Sequence, residues 1–258
     1  MKYRKRHLLA ALLSAFTLFS GQALAMSVDN LMRLSPRTVR RARPFPGNDS
    51  DRSDYSVEYR HKDQDDVQLA YVTEGKRPPI YDADNPAPYT YGAYMQKLTP
   101  ATEYEYRIVN ADGATDWITF STTKEDLNKY KVLVFGDSQS TDYSVWGQTA
   151  QIAWQQNDDA AFFINMGDLV DNGQDHYQWN AWFDVVGDMI ARIPVVPLLG
   201  NHETYDKDWK VRMPEAYLHL FALPRIDREK YQNQFYSFDY GDVHFVVLNT
   251  QSQELADF

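Results

Sequence analysis

The chain has 258 residues, 43% of them hydrophobic and 24% charged, with a formal net charge of −10 and no cysteine. That is enough apolar material for one large domain or two smaller ones. It excludes disulfides and thiolate metal sites, and so acidic a balance leaves no electrostatic footprint for nucleic acid.

In chain order, Lys2, Arg4, Lys5 and Arg6 precede an apolar run from Leu8 to Phe19, and Ala23-Leu24-Ala25 offers a small-x-small cleavage site. Residues 1–25 read as a secretory signal peptide, with an uncleaved anchor as the alternative. Its removal takes away those four positive charges and no negative one, moving the net charge from −10 to −14. No later segment approaches the ~20 apolar residues of a membrane-spanning helix, so no stable span is expected after cleavage. The expected location is periplasmic or secreted. Residues 26–50 carry no period, and Ser35-Pro36 with Pro44-Phe45-Pro46-Gly47-Asn48 marks them as a linker or irregular lead-in. The basic cluster of Arg37, Arg40, Arg41 and Arg43 within it reads as solvated.

Residues 51–124 have a strand-like pattern. Tyr55 to Tyr59 alternates, as does Val67 to Val72; Tyr89 to Leu98, Tyr104 to Val109 and Trp117 to Phe120 follow, separated by turn-rich segments. Short strands at regular spacing predict a small all-β sandwich. The segment Leu98-Thr99-Pro100-Ala101-Thr102-Glu103-Tyr104-Glu105-Tyr106-Arg107 resembles the corner that enters a late strand of fibronectin type III domains. Such domains are usually interaction or positioning modules. No metal or nucleophile constellation falls in residues 26–125, and His61 reads as a surface histidine.

From residue 129 onward the pattern alternates between strand and helix. Lys131 to Phe135, Phe162 to Asn165 and Val195 to Leu199 are buried strands by their apolar runs. Val145 to Gln156 is helix-compatible, and His176 to Ile193 places Trp179, Trp182, Phe183, Val186, Met189 and Ile190 at helical spacing. Met213 to Phe221 is a further helix, and residues 235–248 read as a hairpin about Gly241-Asp242. The β-α-β-α-β order predicts a layered α/β domain over 129–258.

Each early strand of that domain ends in a ligand-rich loop: Gly136-Asp137-Ser138-Gln139, Gly167-Asp168-Leu169-Val170-Asp171 and Gly200-Asn201-His202-Glu203. A single Gly-Asp is an ordinary turn. Three successive strands presenting Asp, Asp and Asn-His at their carboxyl ends occupy the place where open α/β sheets hold ligands. Hard oxygen donors with an imidazole suit Mn, Fe, Zn or Mg rather than copper.

These loops resemble the first three motifs of the calcineurin-like metallophosphoesterase superfamily, Gly-Asp-x-His, Gly-Asp-x-x-Asp and Gly-Asn-His-Glu. A β-sandwich ahead of such a domain is similar to the architecture of purple acid phosphatases, as is the hairpin of residues 235–245. The resemblance implies a layered metallophosphoesterase β-sandwich flanked by helices. It also implies an exported enzyme hydrolysing phosphomonoesters or phosphodiesters with a water activated by two divalent or trivalent ions (Fe, Mn or Zn). Asp137 would bind the first ion, Asp168 would bridge both and Asn201 would bind the second through its side-chain oxygen. His202 would contact the substrate phosphate, stabilising the transition state or protonating the leaving group. Asp171 and Glu203 would orient these groups through hydrogen bonds.

Three departures accompany the resemblance. Gln139 stands where the first motif usually has a ligand histidine, and an amide oxygen binds a hard ion more weakly. Asp171 stands where purple acid phosphatases have the tyrosine that binds ferric iron. The later histidine motifs, the last being Gly-His-x-His, have no counterpart before Phe258, so the expectation is a C-terminally truncated enzyme with an incomplete domain, inactive by itself. Two alternatives stay open: a non-catalytic fragment or degenerate member acting as a surface-binding module, and a mononuclear hydrolase using Asp137, Asp168, Asn201 and a nearby histidine.

Overall fold

In the computed structural model the described residues are 55–72, 90–111, 113–123, 129–221, 223–224, 226–227 and 229–251. The signal peptide and linker expected at 1–50 lie outside them. Among them no helix is long and apolar enough to cross a membrane.

The first part is antiparallel. β1 (Ser56–His61), β2 (Gln68–Val72), β3 (Ala93–Tyr94), β4 (Glu103–Asn110), β5 (Gly113–Ala114) and β6 (Ile118–Ser121) form one sheet in the order β3-β2-β1-β4-β5, with β6 also on β4. β5 and β6 continue one another along β4, offset by one residue: Val109 faces Ala114, whereas Tyr106 faces Ile118. Period-2 burial along β4 turns Tyr104, Tyr106 and Ile108 inward against Val57, Tyr59, Met95 and Phe120. The Tyr104 hydroxyl accepts from the Thr99 N–H at 2.8 Å, a tyrosine reaching back to the chain just upstream. A sandwich has two facing sheets; the described strands here make one, and residues 73–89 lie outside the described set. His61 is half-buried rather than on the open surface, its ring 4.5 Å from that of Tyr104.

The second part holds the parallel sheet β7-β8-β9 (Lys131–Phe135, Ala160–Asn165, Val195–Pro197). Parallel strands need long crossovers, and α1 (Ser144–Gln155) and α2 (His176–Ile190) supply them. Asp175 caps α2 by accepting from Tyr177 N–H. The helices meet at Gly147, where an added Cβ would stand 2.6 Å from Cβ of Val185. α3 (Glu215–Leu220) and the antiparallel pair β10 (Tyr236–Tyr240) and β11 (Val243–Val247) complete the layers. Phe162 at the centre of β8 meets Phe238, Tyr240 and Phe245 edge-on. The two parts are joined where the Tyr106 hydroxyl donates to Ala191 C=O at 2.9 Å and the Arg192 guanidinium to Thr119 C=O at 3.3 Å.

Because β7, β8 and β9 run the same way, their carboxyl ends share one edge. The loops of residues 136–140, 166–175 and 198–206 therefore emerge side by side.

Candidate metal centre

Three left-handed residues shape the first two of these loops. Asp137 (φ 49°), Gly167 (φ 88°) and Asp168 (φ 50°) all lie in the region that L side chains seldom adopt, aspartate being among the more tolerant. Glycines let the loops touch backbone to backbone. A Cβ on Gly200 would stand 2.1 Å from Asp168 Oδ1, and one on Gly173 1.9 Å from Glu203 C=O.

Glu203 holds this contact. Its side chain is 1% exposed, and its carboxylate accepts four backbone N–H groups. Oε2 takes Gly200 at 2.8 Å and Asp168 at 3.0 Å; Oε1 takes Leu169 at 2.7 Å and Val170 at 3.3 Å. Burial pushes its pKa up to about 7, and the nearby Asp168 charge adds to that, while the N–H groups of Gly200, Val170 and Leu169 pull the other way. A cation on Asp168 would remove the repulsive part.

The remaining residues attach to that clip. Asp168 Oδ1 accepts from His202 N–H at 3.0 Å, leaving the other oxygen for a ligand. Asp168 C=O accepts from Gln139 N–H at 2.9 Å, which draws the first loop to the second. His202 Nδ1 lies 2.7 Å from Asp171 C=O and 3.4 Å from Asp171 Oδ1. A carbonyl only accepts, so Nδ1 carries the proton and Nε2 is the outer nitrogen. Asn201 Nδ2 donates to the Tyr205 hydroxyl at 3.2 Å, which leaves Oδ1 as the side-chain atom that could meet a cation. Asp137 is exposed at the tip of its loop.

Three partners escape motif reading. Ser138 Oγ accepts from Trp182 Nε1 at 3.0 Å and Asn165 Nδ2 at 2.8 Å and donates to Leu169 C=O at 3.3 Å. Gln178 of α2 accepts the N–H groups of Asp171 and Asn172 at 2.7 and 3.0 Å. Asn172 Nδ2 donates to Asp206 C=O at 2.6 Å. Ser138 and Asn172 are polar residues among the polar residues of their loops and Gln178 lies in a helical pattern, so nothing in the local sequence singles them out.

Among the described residues no group of three or more His, Cys, Asp or Glu side chains stands together as an ion site. Two of the four expected donors are amides, Asn201 and Gln139, so the carboxylates alone form no such group. The donor set nonetheless suits a hard cation. Gln139 Oε1 is buried with no hydrogen-bond partner, an arrangement that costs ~1–3 kcal/mol unless something else meets the oxygen. A cation is such a partner.

Residues 130–255 match the family of calcineurin-like phosphoesterases. Purple acid phosphatase 23 of Arabidopsis thaliana is 25% identical over 202 residues, covering 66% of this chain and 43% of its own length. Purple acid phosphatase 21 of the same plant is 26% identical over 200 residues, covering 72% and 44%. The chain thus spans less than half the length of these relatives. Among solved structures, the purple acid phosphatase PPD1 of yellow lupin (Lupinus luteus) superposes with a TM-score of 0.58 at 19% identity, over 79% of this chain and 42% of that one. Three strand-end loops gather about Glu203, and the stretch that matches the calcineurin-like phosphoesterases, residues 130–255, spans them all.

Proposed function

We propose that the protein is an exported metal-dependent phosphoesterase that cleaves phosphomonoesters or phosphodiesters at a dinuclear centre, behind a fibronectin III-like module. The buried, partnerless Gln139 Oε1 at the edge where three motif loops meet carries this reading. Asp137, Gln139, Asp168 and Asn201 would hold the cations, whose chemistry is Lewis-acid charge on the phosphoryl oxygens and an acidified water. His202, fixed through Nδ1, presents Nε2 to a phosphoryl or leaving-group oxygen. Glu203 and Asp171 position these groups and do not themselves ligate. Export rests on Lys2 to Ala25 as a leader peptide.

Calorimetric titration with Mn²⁺, Zn²⁺ and Fe²⁺ tests the site. Saturable binding is expected, weakened at least tenfold by Asp168→Asn and by Gln139→Leu. Absence of saturable binding for all three ions refutes the centre. The non-catalytic alternative draws on the lack of a three-residue His/Asp/Glu group among the described residues. It predicts no hydrolysis of p-nitrophenyl phosphate or its bis ester with added Mn²⁺, Zn²⁺ or Fe²⁺.

A further inference from the structure

A short hairpin follows the third loop, and its turn is unusual. Tyr205 bridges Val211, Asp206 N–H donates to Lys210 C=O at 2.9 Å, and Trp209 N–H donates to Asp206 C=O at 2.9 Å. This is a three-residue connection in which a type I turn is followed by one left-handed residue. Asp206 suits the first position, since its Oδ1 accepts the N–H groups of Asp208 and Lys210, both at 2.9 Å. The left-handed position is normally glycine. Here it is Trp209 with φ 61°, the costliest kind of side chain to place there.

The indole is not hidden in return. Trp209 is 56% exposed, and Val211 and Met213, further along the chain, are 66% and 56% exposed. Its ring stands 6.2 Å from that of His202 and 5.7 Å from that of Tyr205, and the Tyr205 ring is 5.4 Å from His202. The Trp209 and Tyr205 rings meet His202 nearly edge-on, at 89° and 77°. Tyr205 is tied to Asn201 and Asp206 to Asn172, so the first arm of the hairpin is anchored to the candidate centre, and Arg212 at 3.2 Å from Asp206 ties the second arm to the first. A turn that holds an exposed indole against its conformational preference, beside the imidazole assigned to the phosphate, is built for what lies next to that phosphate.

We infer that Trp209 and Tyr205 form a stacking platform that selects phosphoesters with a planar aromatic or heteroaromatic leaving group; this rests on the phosphoesterase reading above. Stacking on an indole or phenol face adds to apolar burial and tolerates any flat π-system, so the selectivity is for flatness rather than for one ring. Small alkyl phosphates gain nothing from it.

The test uses two non-hydrolysable probes, phenylphosphonate and methylphosphonate, titrated calorimetrically into the Mn²⁺-supplemented full chain. The wild type is expected to bind phenylphosphonate about tenfold more tightly. Trp209→Gly keeps the left-handed turn, so its thermal midpoint is expected not to fall, and it should erase the preference while leaving methylphosphonate binding unchanged. Trp209→Phe should retain part of the preference. Equal binding of both probes by the wild type overturns the platform while the phosphoesterase reading stands. Equal weakening of both by Trp209→Gly also overturns it, since Trp209 would then act only by orienting His202. If the wild type binds neither phosphonate, the phosphoesterase reading itself fails and takes the platform with it.

Discussion

Replacing Glu203 by glutamine changes one atom's chemistry and leaves the shape alone. The carboxylate oxygens each receive two backbone N–H groups, Asp168 and Gly200 on one, Leu169 and Val170 on the other. Glutamine keeps one acceptor oxygen and turns an NH₂ toward the other pair, so two buried N–H groups lose their partner. At ~1–3 kcal/mol for each orphaned donor, the expected cost is about 3 kcal/mol, with alanine costing more because all four are lost. A domain of ordinary stability, ~5–15 kcal/mol, survives that loss. Urea denaturation should then show an unchanged slope and a midpoint lower by about 1–2 M. Amide exchange should rise first at Leu169 and Gly200, since those N–H groups mark the two sides of the clip. A Glu203→Gln midpoint within experimental error of wild type would refute the claim that this carboxylate joins the loops.

Ser138→Ala leaves Trp182 Nε1 and Asn165 Nδ2 without their acceptor, and a loss of about 3 kcal/mol is expected in the same assay, with a shifted indole resonance for Trp182. Gly200→Ala puts a methyl 2.1 Å from Asp168 Oδ1, so the thermal midpoint should fall and Mn²⁺ binding weaken together. Asp206 gives a pH prediction. The Lys210 N–H above all, then that of Asp208 and the Arg212 charge, hold its carboxyl below the ordinary 3.8. A depressed carboxyl stabilises above its unfolded value, and that stability is lost as pH falls through the folded one. The side-chain carboxyl carbon resonance of Asp206 should therefore titrate only below 3.8; a midpoint at or above 3.8 would contradict this assignment.

Much of the α/β part can be read from periodicity and punctuation. Trp179, Trp182, Val186, Met189 and Ile190 mark the inner face of α2, and all are buried. The helix ends at Ile190 rather than Ile193 because Ile193 precedes Pro194, which disfavours helical backbone, and because Ala191 and Arg192 bind the antiparallel sheet instead. β9 stops at Pro197 rather than Leu199; the Pro197 carbonyl accepts the hydroxyls of Tyr217 and Tyr236, contacts that no local pattern announces. In the candidate centre, Asp168, Asn201, His202 and Glu203 are visible because glycine and acid recur at strand ends. Ser138 and Asn172 are not, because each acts on a partner brought near only by the crossovers, and Gln178 is not, because it reaches from the first turn of α2 back to the loop before it.

Asp137, Asp168 and Trp209 share a left-handed backbone, though three different loops carry them. Such residues cost of order 1–3 kcal/mol each, aspartate toward the low end. Glycine at any of the three would relax the chain. A variant library screened for heat resistance alone should therefore enrich glycine at these positions, while a parallel screen for Mn²⁺ or phenylphosphonate retention should reject it. The divergence of the two screens would locate where this fold trades robustness for chemistry.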